Sequence, residues 1–401
     1  MVIVYVTAGL PHSHAKEDFF VPEVLGLAKR GNRVVLVPRD RRGGVCDGAR
    51  RLLPWTRDEG LLSTRVLRGA EMEFLARPRE AWRALQCVVR GARARTATKN
   101  LAVFCKGLWL ARLARDEGAH HIHAQWASTT ASLALVAHTV SGVPWSFTAH
   151  RGDIVEDNLL GEKVRAASFV RFISRQGMGM AEAICGHSLA GKGVVIHMGV
   201  EIPDSPARVI GEMSDPHVVL CPANLIPVKG HVFLIQAIGI LKQRNVSCLL
   251  WLAGEGPLER QLRREATAAG VCDSVVFLGQ LPHHKLLALY THGGVDVVAL
   301  ASVDLGCGQH EGIPVSLVEA MAHGVPVVST ITGAIPELVT QDAGLLVPSQ
   351  DPVALADALH RVLGSKDVWR RLGEGGYRRV KLEFNVERSV DYLARSLEGS
   401  P

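Results

Sequence analysis

Short apolar runs alternate with longer amphipathic stretches along nearly the whole chain. The short runs are rich in Val, Ile and Leu and are typical of buried strands, whereas the longer stretches repeat apolar residues at helical spacing. The predicted strands are 2–7, 33–37, 121–124, 145–148, 169–173 and 194–196 in the first half, and 217–222, 248–253, 274–278, 295–300, 326–329 and 344–347 in the second. This alternation predicts an α/β fold with helices packed on parallel sheets.

A polar, proline-containing stretch at 201–216 interrupts the alternation. It predicts two doubly wound, Rossmann-like domains, 1–204 and 205–384, and a final amphipathic helix within 385–401 that packs back on the first domain. Ligands of such sheets bind beyond the carboxyl ends of the strands. We therefore expect the two domains to face each other across a cleft lined by strand-to-helix loops.

Composition narrows the class of protein. The 401 residues are 47% hydrophobic and 21% charged, which excludes a disordered chain. The apolar runs fall short of the ~20 residues of a membrane span. The N-terminal apolar run is not preceded by basic residues, so it is more typical of a core strand than of a secretory signal peptide. A cytoplasmic location is therefore expected. Eight scattered cysteines without a C-x-x-C pair favour neither a zinc site nor a disulfide framework.

Charge is distributed unevenly between the halves. Residues 1–200 hold 28 Lys/Arg against 17 Asp/Glu, and residues 201–401 hold 17 against 22. Between residues 77 and 115, ten basic residues and one acid, Glu80, are interleaved with aromatic and aliphatic residues. Such a segment can lie peripherally on an anionic membrane, here the inner face, or can be a solvated helix packed on the sheet, and the pattern favours the two equally. No nucleic-acid-binding motif accompanies it, so no nucleic acid is expected as a partner.

The most informative segment is Glu311-Gly-Ile-Pro-Val-Ser-Leu-Val-Glu319. Pro314 suits the first position of a helix, whose N-terminus then offers free N–H groups and the positive end of a dipole to an anion. Gly312 permits close approach of a ligand. Glu311 before the helix and Glu319 in its second turn are more suited to accept hydrogen bonds from sugar hydroxyls than to bind a phosphate.

These residues resemble the paired-glutamate signature of retaining glycosyltransferases of the GT-B fold, family 4, also called glycosyltransferase group 1. The likeness covers essentially the whole chain and continues, in the family's order and approximate spacing, through Asn224-Leu-Ile-Pro-Val-Lys-Gly230, Leu252-Ala-Gly-Glu-Gly-Pro257 and Val275-Val-Phe-Leu-Gly279. By itself, the Gly254-Glu-Gly256 turn favours a tight structural turn over nucleotide binding.

The resemblance implies roles for individual residues. Glu319 would bind the ribose of a nucleotide-sugar donor, and Glu311 would hold the sugar near its reacting carbon. The donor diphosphate and sugar would meet the backbone at Gly312, Ile313, Pro314 and Val315, and the base would meet the main chain at Gly279 to Leu281.

Lys229 follows a predicted strand, and a fixed ammonium there would stabilise the charge that a departing diphosphate gains. The family usually has an arginine five residues before this lysine, where this chain has Asn224. Asparagine donates hydrogen bonds but carries no charge. Because Asn224 brings no charge, we expect either a weaker contact with the diphosphate or compensation by another cation, such as Arg151.

In the first half, His150 follows the strand 145–148 and resembles the active-site histidine of the family, which would contact the donor sugar. An acceptor side is assigned more weakly, to Gly9, His12, His14, Arg151 and Asp153. Alternation along a strand should send the histidines of His120-His-Ile-His123 to opposite faces, so no metal site is assigned there. Because Lys229 and the helix dipole supply positive charge and the chain has no Asp-x-Asp, no metal and no separate cofactor are expected.

The sequence thus predicts a retaining hexosyltransferase-like enzyme, EC 2.4. It would move a sugar from a UDP- or GDP-linked donor to a hydroxyl of a saccharide or lipid-linked acceptor, in exopolysaccharide or cell-surface glycan synthesis. The alternatives are a GT-B relative such as a sugar-nucleotide epimerase or a phosphorylase, and a catalytically weak module that binds sugar nucleotides.

Overall fold

A computed structural model describes residues 1–12, 17–206 and 212–399. The chain forms two compact units, which we call the first unit (Met1–His197 and Val386–Pro401) and the second unit (Met198–Asn385). The chain leaves the first unit at His197, before the predicted boundary at 204. Residues 198–204 belong to the second unit because Val200 pairs with Asn385 and the Tyr377 hydroxyl donates to the carbonyl of Pro203 at 2.8 Å.

The first unit contains a parallel sheet of six strands in the order β2-β1-β3-β4-β5-β6. Its strands are β1 (Val2–Thr7), β2 (Arg33–Pro38), β3 (His121–Gln125), β4 (Trp145–Ala149), β5 (Phe169–Phe172) and β6 (Gly193–Val195). Nearly every residue of β1, β3 and β4 is buried, because helices cover both faces of the sheet. These helices are α1 (Val21–Lys29), α2 (Thr64–Ala76), α3 (Pro78–Val89), α4 (Ala94–Asp116), α5 (Thr129–Ser141), α6 (Arg151–Glu156), α7 (Leu160–Ala166) and α8 (Arg175–Cys185).

The second unit contains another parallel sheet of six strands, in the order β12-β11-β10-β7-β8-β9. Its strands are β7 (His217–Pro222), β8 (Cys248–Ala253), β9 (Val275–Gly279), β10 (Val297–Leu300), β11 (Val327–Thr330) and β12 (Leu345–Val347). Its helices are α9 (His231–Gln243), α10 (Glu259–Ala268), α11 (His283–Thr291), α12 (Val315–Ala322), α13 (Ile335–Leu338), α14 (Pro352–Leu363) and α15 (Lys366–Glu383).

The final helix, α16 (Val386–Leu397), belongs to the first unit and packs on α1. The contact is close, because a Cβ atom on Gly26 would lie 2.9 Å from Val390 Cγ2. Arg30, after the end of α1, donates to the carboxylates of Asp391 at 2.6 Å and Glu387 at 3.0 Å. An apolar stripe and a pair of charged contacts thus hold the C-terminal helix.

The predicted α/β class with two doubly wound sheets is confirmed, and each predicted strand appears with ends that shift by at most two residues. One expectation about strand faces is wrong. His121 and His123 lie two positions apart and share a face, where both rings lie 2.8 Å from Ser146 Oγ. No helix within the described residues is both long and apolar enough to cross a bilayer.

Candidate functional site

Lys229 and Glu311 meet at the carboxyl ends of two neighbouring strands of the second unit. Lys229 follows β7 and Glu311 follows β10, which pairs with β7 in the sheet. Lys229 Nζ lies 2.7 Å from Glu311 Oε1, and the two side chains are 17% and 12% exposed. The structure therefore joins two of the three residues that the sequence assigned to catalysis.

The loop that carries Lys229 is fixed by a glycine. Lys229 ends a short 3-10 turn (Pro227–Lys229), and Gly230 then adopts a left-handed φ of +61°. A Cβ atom on Gly230 would lie only 1.9 Å from the carbonyl oxygen of Ala301, so no other residue fits without movement of the backbone. The N–H of Val303 also donates to the carbonyl of Val228 at 2.9 Å. These contacts lock the loop after β7 against the loop after β10.

The backbone of Glu311 is held equally firmly. Its carbonyl oxygen lies 2.8 Å from the ring nitrogen Nδ1 of His310. Gly333, with φ of +52°, passes so close that a Cβ atom there would lie 1.9 Å from the same oxygen. The carboxylate of Glu311 therefore projects from a backbone with little freedom to shift.

The helix N-terminus beside Glu311 carries no side-chain cap. Pro314 is the N-cap and Val315 is the first residue of α12, one position later than predicted, because Pro314 has the extended ψ of 118°. Proline offers no polar side chain, so the first N–H groups of the helix are available to a ligand. A Cβ atom on Gly312 would meet nothing within 4 Å, so packing does not require glycine there. Ile313 packs its side chain partly into the core.

Glu319 pairs with a histidine that the sequence did not single out. Glu319 lies in the second turn of α12, as predicted, and its Oε1 lies 2.7 Å from Nε2 of His283. His283 is exposed and begins α11, directly after the segment 279–282. Its position after the predicted base-binding residues was the only available signal. Tyr290 lies in the same helix, α11. Its burial and the charge of Glu319 raise the pKa of Tyr290 well above its ordinary value.

The remaining donor-side residues lie in two loops. Asn224 is exposed and sits in the loop after β7, against which the Gly254-Glu-Gly256 turn packs. A Cβ atom on Gly256 would lie 2.4 Å from the carbonyl oxygen of Leu225, so this turn is a structural necessity. Gly279 ends β9 with φ of +65°, and Leu281 packs partly against the core.

In the first unit, His150 follows β4 and is the N-cap of α6. Its ring lies against Trp126, with centroids 4.1 Å apart and planes at 32°. Burial lowers the pKa of His150 to about 3, with a smaller contribution from the charge of Arg171. His150 Nε2 is buried and has no hydrogen-bond partner among the described residues. His150 is thus a neutral hydrogen-bonding group at ordinary pH.

The five residues assigned to an acceptor side have different surroundings. Asp153 is buried and accepts from the backbone N–H groups of His150, at 2.8 Å, and Ala127, while burial raises its pKa to about 7. It therefore fixes the two loops and is closed to solvent. His12 Nε2 lies 3.1 Å from Asp58 Oδ2. Arg151 is half-buried as the first residue of α6. The N–H of Gly9 donates to Glu17. His14 lies outside the described residues.

Comparison with known proteins decides the family. Residues 207–379 match the model for glycosyl transferases group 1. A GDP-mannose-dependent alpha-(1-6)-phosphatidylinositol monomannoside mannosyltransferase of Mycolicibacterium smegmatis is 30% identical over 66% of this chain and 73% of its own length. The chain belongs to the group 1 glycosyltransferases. Within this family, a protein named colanic acid biosynthesis glycosyltransferase WcaL, from Escherichia coli, is 39% identical over 41% of this chain.

Other relatives of this group 1 glycosyltransferase match less of their length or only its fold. The chain spans 40% of the length of WcaL and 50% of the amylovoran biosynthesis glycosyltransferase AmsK of Erwinia amylovora, to which it is 34% identical over 51% of its own length. The crystal structure of Anabaena HepE in complex with UDP has a TM-score of 0.70 over 100% of both chains, at 17% identity. That likeness shows a shared fold.

Proposed function

We propose that this group 1 glycosyltransferase moves a sugar from a nucleotide-diphosphate donor to a hydroxyl of a saccharide or lipid-linked acceptor. The observation that carries the proposal is the placing of Lys229, Glu311 and the uncapped end of α12 beside one another. A cation and free N–H groups suit a diphosphate, and the carboxylates suit the adjoining hydroxyls. The UDP in the crystal structure of Anabaena HepE supports a nucleotide as the ligand.

Each residue has a distinct part in the proposed reaction. Lys229 and the backbone of Gly312 to Val315 stabilise the diphosphate as the bond from the sugar carbon to the phosphate oxygen breaks. Glu311 orients the sugar. The ribose displaces His283, and Glu319 then accepts a hydrogen bond from a ribose hydroxyl. The acceptor oxygen bonds to the sugar carbon on the same face, which retains the configuration, and its proton passes to the departing phosphate oxygen. The positive charge comes from this chain, so the proposed reaction is metal-independent.

The neutral state of His150 determines what that residue can contribute. With a pKa of about 3, the ring does not act as a general acid near neutrality. Its Nε2, which has no partner among the described residues, is instead a neutral hydrogen-bonding group of the first unit. Asn224 contributes a hydrogen bond in place of the charge that the family's arginine would bring.

The names of the relatives guide the choice of substrates. WcaL and AmsK are named for the biosynthesis of colanic acid and amylovoran, and the mycobacterial relative is named as dependent on GDP-mannose. We therefore assign this chain to exopolysaccharide or other cell-surface glycan synthesis in the cytoplasm, with a UDP- or GDP-linked sugar as donor.

We also propose a peripheral membrane contact. Its surface differs from the segment 77–115 that the sequence predicted. Leu108, Trp109 and Leu110 of that segment are buried in the first unit. Apart from Leu101, the exposed apolar side chains lie near the junction of α2 and α3, at Phe74, Leu75 and Trp82. Arg77, Arg79 and Arg83 are exposed among them. Aromatic and aliphatic side chains between arginines suit an anionic lipid surface.

Vesicle sedimentation tests the membrane contact. Replacing Trp82 by Ala should reduce binding to vesicles of anionic phospholipid, and the parent should bind neutral phosphatidylcholine vesicles weakly. Tyr392→Ala, which also removes an exposed aromatic side chain, is the matched control and should bind as the parent does. Equal binding to anionic and neutral vesicles would contradict the proposal.

Transfer assays test the reaction itself. Lys229→Ala and Glu319→Ala should each lower kcat/KM roughly 30- to 1000-fold. This corresponds to a loss of about 2 to 4 kcal/mol of transition-state stabilisation. Lys242→Ala and Glu259→Ala, at exposed helical sites, are the controls. Parent-like turnover by both site variants would exclude this mechanism. Binding of UDP or GDP to the parent without any turnover would instead indicate a binding module. Release of free nucleotide with no acceptor glycosylated would indicate an epimerase.

A further inference from the structure

Glu17 is a buried carboxylate in the first unit with four neutral hydrogen-bond donors. It is 1% exposed. Its Oε2 accepts from the N–H groups of Gly9 at 2.7 Å and Leu10 at 2.8 Å, and its Oε1 accepts from the N–H of Ala8 at 3.1 Å and from the indole N–H of Trp126. Successive backbone N–H groups that converge in this way form a binding site for an anion. The chain fills the site with its own side chain.

This single carboxylate connects two loops at the same edge of the first sheet. Residues 8–10 follow β1, and Trp126 follows β3, which is the neighbour of β1. Both loops leave the carboxyl ends of their strands, where ligands of parallel sheets bind. Hydrogen bonds to an ionised acceptor are stronger than neutral ones, so Glu17 fixes the distance between these loops.

Trp126 carries the constraint onward to His150. Its backbone has a left-handed φ of 75°, which a tryptophan rarely adopts without support from its surroundings. Its ring lies 4.1 Å from the ring of His150, and Phe20, three residues after Glu17, contacts both rings edge-on at 5.8 and 5.6 Å. The position of the His150 ring therefore depends on the indole that Glu17 holds.

Two other buried carboxylates of the first unit are paired with arginine, whereas Asp153 accepts from backbone N–H groups of two loops. Glu23 binds Arg171, and Glu73 binds Arg115. Each of these stabilises packed helices or strands through a charge pair. The four named donors of Glu17 are neutral and lie in loops at the edge of the sheet, so its contacts organise loops rather than a core.

We propose that Glu17 is a positioning residue for the acceptor-side loops. It holds the loop 8–10 in one conformation and, through Trp126, fixes the orientation of the His150 ring. This inference rests on the proposed transfer reaction. Loss of the carboxylate should impair acceptor placement by the first unit while nucleotide binding by the second unit persists.

The primary test compares Glu17→Gln with the parent and with Glu73→Gln, a matched loss of charge at an equally buried site. The amide of glutamine keeps one acceptor oxygen, so it cannot accept from all four donors. We expect kcat/KM for the acceptor to fall at least tenfold, with the affinity for UDP or GDP within twofold of the parent. Glu73→Gln should lower the melting temperature without this selective loss.

A second variant keeps the test decisive if Glu17→Gln does not fold. Trp126→Phe preserves a ring beside His150 but removes the indole N–H. It should reproduce part of the loss in kcat/KM, and the double variant should lose less than the product of the two single effects, because both act through one contact. Multiplicative effects, or acceptor kinetics of Glu17→Gln equal to those of Glu73→Gln, would overturn the inference. Where Glu17→Gln does not fold, parent-like acceptor kinetics of Trp126→Phe would overturn it.

A chemical readout separates this inference from the proposed function. Modification of His150 by diethyl pyrocarbonate, followed by mass spectrometry, needs no turnover. It should be slow in the parent, where Nε2 is buried, and at least threefold faster in Glu17→Gln. An inactive parent with this change in rate would refute the transfer reaction and leave Glu17 as the residue that positions His150. An unchanged rate would overturn the role of Glu17.

Discussion

At the scale of single residues, both carboxylates of the candidate donor site already have a side-chain partner. Glu311 is paired with Lys229 and Glu319 with His283, each at 2.7 Å. His283 is largely exposed, and such a pair contributes only about 0–1 kcal/mol, so a ligand hydroxyl can displace the histidine from Glu319. The pairs keep the carboxylates oriented before a donor arrives.

His283 should compete with the ribose for Glu319. Replacing His283 by Ala removes a pair that is worth at most about 1 kcal/mol, so UDP or GDP should bind up to about fivefold more tightly. Calorimetric titration measures this change. His284→Ala, at an exposed neighbouring position, should leave the affinity unaltered. Weaker binding by His283→Ala would show that the histidine assists the nucleotide instead.

Gly312 and Gly333 should respond differently to alanine. A Cβ atom at Gly312 meets no protein atom within 4 Å, so Gly312→Ala should fold with the stability of the parent and bind a nucleotide sugar at least tenfold more weakly. At Gly333 the added atom would lie 1.9 Å from a carbonyl oxygen, so Gly333→Ala should unfold at a lower denaturant concentration. Normal donor binding by Gly312→Ala would mean that no ligand approaches this backbone closely.

At the scale of elements, β3 carries two histidines that the fold keeps neutral. Burial lowers the pKa of His121 to about 4, and it lowers the pKa of His123 well below its ordinary value. Both rings bond to Ser146 on β4. Neutral imidazoles here satisfy buried polar groups inside the first unit without introducing charge.

Acidification should therefore destabilise the first unit. Between pH 6.5 and about 4 the unfolded chain binds a proton at His121 that the folded chain does not, so the free energy of unfolding falls as the pH falls. At pH 5 this cost is about 2 kcal/mol for His121. Urea unfolding of His121→Gln at pH 7 and pH 5 should show a smaller decrease than the parent shows. His187→Gln, at an exposed site, should show the full decrease.

The strands were predictable because buried parallel strands are continuous apolar runs, as in Val2–Thr7 and His217–Pro222. Spacing along α12 likewise placed Glu311 before the helix and Glu319 in its second turn. The partners of these residues were not predictable, since His283 reaches Glu319 only through the packing of two helices. Glu17 was missed for the same reason: its donors are brought to it by loops after two different strands.

At the scale of the whole molecule, the C-terminal helix α16 completes the first unit. Val390, Leu393 and Leu397 of α16 are buried, and Gly26 of α1 makes room for Val390. The stability of the first unit therefore depends on residues from both ends of the chain.

Leu393→Ala should lower the free energy of unfolding by about 2 to 5 kcal/mol, because Leu393 is fully buried and its removal leaves a cavity. Tyr392→Ala, at the exposed neighbouring position, should change it by less than about 0.5 kcal/mol. Denaturant titration followed by circular dichroism measures both. A small effect at Leu393 would mean that α16 adds little to the unit on which it packs.

This return of the chain has a consequence during synthesis. The ribosome makes the strands of the first sheet early, yet the helix that covers Gly26 and its neighbours on α1 is translated only after the whole second unit. That apolar face of the nascent protein is therefore uncovered while the second sheet is being made. The face is thus a natural docking place for a chaperone, and synthesis of α16 becomes the event that completes the core of the first unit.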